Sequence, residues 1–109
     1  MTHALSALDI NVNAELVKLE TLEQFDEEGK RLHHALRHFF NKYQTDGVTV
    51  YSVRQNGASV FTLSVKPEGY TNHIVGMHNR APSEAEMAVI TQLLTQAGIE
   101  NRYDPNTLG

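Results

Sequence analysis

Val48-Thr49-Val50-Tyr51-Ser52-Val53-Arg54-Gln55-Asn56-Gly57-Ala58-Ser59-Val60-Phe61-Thr62-Leu63-Ser64-Val65 decides the fold. Two runs that alternate apolar and polar residues flank Asn56-Gly57. An Asn-Gly pair accepts positive φ at both central positions of a two-residue turn, so it predicts a β-hairpin closed at 56–57. Gln55 then faces Ala58, and Val53 faces Val60. Counted back without interruption, Val50 faces Leu63 and Val48 faces Val65. One face carries Val48, Val50, Phe61, Leu63 and Val65, and is expected to pack on helices. The other carries Thr49, Tyr51, Val53, Val60, Thr62, Ser64 and Lys66, and is expected to stay open.

Upstream, Thr21 and Gln24 have the spacing of a capping box. Behind them Leu22, Phe25, Gly29, Leu32, Leu36, Phe39 and Tyr43 keep a strict 3-4 spacing, which predicts one amphipathic helix of about 22 residues. Acids lead it and bases trail it, as the helix dipole prefers. Gly29 on the apolar stripe is read as a close approach to the sheet or as a kink. Residues 8–16 alternate Leu8, Ile10, Val12, Ala14 and Leu16 with polar residues, which favours a strand over a short amphipathic helix.

Downstream, Pro67-Glu68-Gly69 is a turn and 71–77 a third hairpin strand. Ser83 and Glu86 form a second capping box. The helix it opens carries Met87, Ile90, Leu93, Leu94 and Ala97 on its apolar stripe and stops at Gly98. Residues 1–7 and 100–109 read as irregular ends. The predicted class is α+β, one domain over 1–109, an antiparallel sheet of three to four strands with two helices on one face, in the order (β)-α-β-β-β-α.

That order also occurs in double-stranded-RNA-binding domains and ribosome-hibernation factors. Ser83-Glu84-Ala85-Glu86, however, puts acids at the helix start where the RNA binders carry lysines, and these would repel phosphate.

The chain has 109 residues, 40% of them hydrophobic, and a formal net charge of −4. With no Cys there is no disulfide framework, thiolate chemistry or Cys-based zinc site. No apolar run approaches a membrane span, and the start lacks the layout of a signal peptide, so a cytoplasmic location is expected. Residues 1–30 hold Asp9, Glu15, Glu20, Glu23, Asp26, Glu27 and Glu28 against Lys18 and Lys30. No basic stripe marks a nucleic-acid surface.

Candidate sites are few. His34 and His38 stand four apart, with His33 beside them, on the side expected to face solvent; two imidazoles make half of a tetrahedral metal site, and neither a metal nor a cofactor is expected. Arg80 and Asn79, next to His73 and His78, are candidate anion contacts at a helix entry. No nucleophile elbow or phosphate loop is present, and catalysis is not expected. The open face around Tyr51, Val53, Val60 and Thr62, together with Glu20, Glu23, Asp26 and Glu27, is the expected partner-binding surface.

Tyr51-Ser52-Val53-Arg54, Thr62-Leu63-Ser64-Val65 and the spaced Gly76-x-x-Asn79-x-x-Pro82 resemble a segment of the PcfJ-like proteins of conjugative plasmids and phages. The resemblance covers residues 51–82 and implies an origin on a mobile element. The expected function is non-catalytic protein–protein binding, in its most concrete form an anti-CRISPR-like inhibitor of a host nucleic-acid enzyme with a basic surface. The alternatives are a nucleic-acid accessory protein using Arg54, Lys66, Arg80 and Arg102 with Tyr51, and a small acidic secretion chaperone or immunity protein, for which a homodimer is an option.

Overall fold

A computed structural model describes residues 14–104. Five strands form one sheet in sequence order: β1 (Ala14–Leu19), β2 (Thr49–Gln55), β3 (Ala58–Val65), β4 (Tyr70–Val75) and β5 (Glu100–Asn101). The first four are antiparallel neighbours, and β5 lies parallel to β4. Helix α1 (Leu22–Leu32) is followed by a 3-10 turn (Leu36–Phe39) and α2 (Phe40–Asp46), and α3 (Glu84–Ala97) lies between β4 and β5. The α+β class and the hairpin-linked antiparallel order are as expected. Of the predicted strand over 8–16, residues 8–13 lie outside the described residues, as do 1–7; the described part is a strand that continues to Leu19. The expected irregular end at 100–109 is corrected at 100–101, which pair with Tyr70 and Thr71 as β5.

The hairpin turn forms as its residues require, with Asn56 at φ 53° and Gly57 at φ 83°. Gln55 faces Ala58 and Arg54 faces Ser59, but the register then slips, and Val53 faces Phe61 rather than Val60. Val60 is the extra residue of a β-bulge. Side chains alternate across a sheet, so one inserted residue reverses every pairing beyond it. Tyr51 now faces Leu63 and Val50 faces Ser64. Phe61, Leu63 and Val65 share a face with Tyr51 and Val53, not with Val48 and Val50.

That reassignment moves the helices as well. Val53, Phe61, Leu63, Val65 and Ile74 form a core with Val89, Ile90 and Leu94 of α3. Leu19 and Val50 form a second core with Phe25 of α1 and Leu36 beyond it. The two cores lie on opposite faces, because Val50 and Val53 fall on opposite sides of β2. The expectation of two helices on one face is therefore corrected: the sheet is covered on both sides. The open face around Tyr51, Val53, Val60 and Thr62 does not exist as one surface. Val53 is 0% exposed under α3, and Thr62 is 5% exposed on the opposite side.

The single long helix is corrected too. A 22-residue helix would run about 33 Å, whereas an eight-residue strand such as β3 spans about 26 Å. The chain breaks instead at His33, which takes the left-handed conformation at φ 55°. Both predicted capping boxes are present, at Thr21–Gln24 and Ser83–Glu86, and Gly98 ends α3 in the left-handed conformation. Val89, absent from the predicted stripe of α3, is buried.

Gly29 permits the break. A Cβ there would lie 2.8 Å from the carbonyl oxygen of His34, which folds back over the helix. Helix propensity alone makes Gly29→Ala stabilising by about 1 kcal/mol. The close backbone approach reverses the sign: urea denaturation should show a net loss of about 1–3 kcal/mol, and an Ala variant at least as stable as the parent would contradict this packing.

Candidate functional site

The face of the sheet under α1 is polar where a core would ordinarily be apolar. Ser52 and Thr62 face each other across β2 and β3, and Ser64 follows on the same side. The bulge adds Ser59 to this row: three residues from Thr62, it could share a face with it only if one residue were skipped. Glu28 of α1 enters the row and is 1% exposed. Its Oε1 accepts from the hydroxyls of Ser52 at 2.9 Å and Ser59 at 2.8 Å, and its Oε2 accepts from Thr62 at 2.7 Å. A buried carboxylate is costly unless its oxygens are hydrogen-bonded, and here three donors serve two oxygens. Arg54 Nε donates to Ser52 Oγ at 3.2 Å on the edge of the cluster.

The chain of bonds continues to His34. Its Nε2 lies 3.0 Å from Thr62 Oγ1. Thr62 has one hydroxyl proton, and that proton is directed at Glu28. His34 Nε2 must therefore donate, which leaves Nδ1 as the bare nitrogen. Nδ1 is buried and has no hydrogen-bond partner. Burial lowers the His34 pKa below 6.5, and the charge of Glu28 offsets this only in part. His34 is thus not the solvent-facing residue expected from the sequence, and because α1 ends at Leu32, His34 and His38 do not stand one turn apart on a helix. Among the described residues no group of three or more His, Asp or Glu could hold a metal ion.

Beyond α1 the same face is only partly covered. The segment from His34 to Tyr43 forms a wall, β3 and β4 form the floor, and between them lies a cavity of about 530 Å³ open on one side. Leu36, Phe39, Val50 and Val75 supply apolar surface, and Thr62, Ser64, Lys66, Asn72 and His73 supply polar groups. His73 faces Ser64 across β3 and β4. Burial lowers the His73 pKa, and the nearby Lys66 lowers it further. Burial raises the Tyr43 pKa, against a hydrogen bond with Ser64. Near the cavity the rings of His33 and His78 stack at 4.8 Å, joining the end of α1 to the turn after β4.

The predicted site residues scatter. Tyr51 and Val60 are half-buried beside the α3 core. Arg80 is not a free anion contact: its guanidinium forms a fork on Glu86 at 2.9 and 3.0 Å and lies 5.0 Å from the Phe61 ring centroid. Burial works to raise the Glu86 pKa, but hydrogen bonds from Arg80 and Ser83 outweigh it and hold the carboxyl low. Asn79, at φ 63°, does line the cavity. The acidic surface is largely compensated: Glu20 pairs with Lys18, Asp26 with Lys30 and Arg37, and Glu27 with Arg31, while Glu28 is buried. Glu23 remains exposed. Arg102 pairs with Glu100, so the four expected phosphate contacts do not form a basic stripe.

Glu28, Ser52, Ser59 and His34 were missed as a unit. One signal was present: Ser52, Thr62 and Ser64 place hydroxyls at period two inside strongly apolar strands. No protein-family model matches the chain, and no curated protein or solved structure matches it. No helix among the described residues is long and apolar enough to cross a membrane.

Two tests follow from this geometry. Glu28→Gln replaces one acceptor oxygen by a donor, so one hydroxyl loses its partner; urea denaturation should show a loss of about 1–3 kcal/mol, and an unchanged midpoint would argue against the cluster. The second concerns pH. His34 and His73 have folded pKa values below their ordinary 6.5. The unfolded chain therefore binds protons first, and stability, fully present above pH 6.5, declines as pH falls toward the folded values. Denaturation midpoints should drop between pH 7.5 and 5.5, and less so in His34→Gln. A flat profile in the parent chain would contradict the assignment.

Proposed function

We propose that the protein is a non-catalytic binding module whose recognition site is the cavity between the His34–Tyr43 segment and strands β3 and β4. The observation that carries this reading is the cavity itself. Its volume of about 530 Å³ falls in the range of about 300–1,000 Å³ usual for small-ligand sites. Its lining combines apolar side chains, mostly from the wall, with polar groups that converge from β3 and β4.

The bonding order argues against nucleophilic catalysis. A hydroxyl nucleophile that is paired with a histidine gives its proton to that histidine. Thr62 does the reverse, giving its proton to Glu28 and receiving one from His34.

A protein partner is the second reading, favoured by Phe39 and Met77, which are 43% and 46% exposed. Phe39 lines the cavity, and Met77 lies in the turn that supplies Asn79. On this reading a partner side chain fills the cavity, and the module is an inhibitor carried by a phage or plasmid, in keeping with the resemblance of residues 51–82 to PcfJ-like proteins. The expected attraction to a basic surface is weaker than the acid count suggests, since most acids of α1 already have cations.

An amide-detected NMR screen with small aromatic fragments tests the cavity. Shifts should concentrate on residues 34–43, 62–66 and 72–79, and vanish in Asn72→Trp, which fills the cavity from an exposed strand position. Shifts centred on α3, or undiminished in that variant, would overturn the assignment.

A further inference from the structure

We propose that the cavity takes a small organic anion with a flat apolar body, its acid group held by Lys66 and His73 and its body laid against Phe39 and Tyr43. This inference rests on the cavity being the binding site and adds the chemistry of its ligand.

Charge placement is the first observation. The chain carries a formal net charge of −4, yet among the described residues no Asp or Glu lines the cavity, while Lys66, His34 and His73 do. Glu28 lies behind Thr62, with both oxygens taken up by hydroxyl protons, and does not reach the lining.

Lys66 is the second. Of the nine Lys and Arg residues, seven sit in ion pairs. Arg54 donates to Ser52. Among the described residues Lys66 alone has no partner for its side chain, although it is half-buried and a carboxylate would be its ordinary companion. It follows Val65 on the same side of β3 as Thr62 and Ser64, and its charge is felt by His73. An ammonium and an imidazole brought together without an anion repel one another when both are charged. An anion between them removes the repulsion and gains charge-assisted hydrogen bonds.

The shape of the apolar part is the third. The rings of Phe39 and Tyr43 stack at 5.6 Å with 22° between their planes. Both rings line the cavity, together with Leu36, Val50 and Val75, so this side of it is aromatic and apolar. A planar ring system fits such a wall better than a branched aliphatic chain. The head group is a carboxylate or a phosphate monoester, both of which a Lys ammonium and an imidazole N–H recognise.

Calorimetric titration with 1-naphthoate, 1-naphthyl phosphate and the neutral 1-naphthamide tests the proposal on the full chain. At least one of the two anions should bind at least tenfold more tightly than the amide, and the stronger of the two identifies the head group. Lys66→Met, at a half-exposed position, should remove that preference while leaving amide binding unchanged. Amide binding as tight as that of both anions, or an undiminished anion preference in Lys66→Met, would overturn the anion while leaving the cavity as the binding site. Binding of none of the three, in a chain whose circular dichroism is native, would overturn both.

Discussion

Glu28 is the constraint around which the rest of the molecule is arranged. A carboxylate removed from water must find donors, and here they are hydroxyls on two neighbouring strands. Ser52 comes from β2, and Ser59 and Thr62 from β3 on either side of the bulge. The carboxylate thus fixes α1 against the sheet at one position, in one orientation, and makes sense of the bulge. Without the extra residue at Val60, Ser59 would point away from Thr62. Apolar packing alone would tolerate α1 sliding along the strands by part of a turn; three short hydrogen bonds do not.

The cavity follows from the same anchor. With α1 fixed over β2 and β3 and ended at His33, the chain must turn back within a few residues, and Gly29 gives the room for it. The 3-10 turn and α2 then cover the lower part of the face around Val50 and Leu19. The strip of β3 and β4 between these coverings carries Ser64, Lys66, His73 and Val75, and no element among the described residues lies on it. His34, at the break, faces both ways: its ring completes the Glu28 cluster through Thr62 and also lines the cavity.

Local chemistry was legible in the sequence and long-range geometry was not. The Asn56-Gly57 turn, both capping boxes and the Gly98 stop are set by residues within four positions of one another, and each is present. The bulge has no such local signature: Ser59 and Val60 are ordinary strand residues, and what selects the slipped register is Glu28, far away in the chain. Every face assignment beyond the turn inherited that error, so Val53 and Thr62 were read as neighbours on an open surface when the sheet separates them. The helix break was hidden for a similar reason. The apolar spacing runs unbroken through 22–43, and nothing in that spacing states how long the underlying strands are. The two-residue β5 is too short for any periodicity to reveal.

The four-residue cluster also bears on how the chain can drift over evolutionary time. Glu28 without its hydroxyls would be a stranded charge, and the hydroxyls without Glu28 would be unmet polar groups in a dry interface. Neither half is tolerable alone, so a neutral path from this arrangement to an apolar one must pass through a poorly stable intermediate or change several positions together. Descendants of this sequence should therefore fall into two camps, with Glu28, Ser52, Ser59 and Thr62 retained as a set or replaced as a set. In the second camp the bulge at Val60 loses its purpose, and the hairpin is free to return to the simple register that its turn alone would dictate.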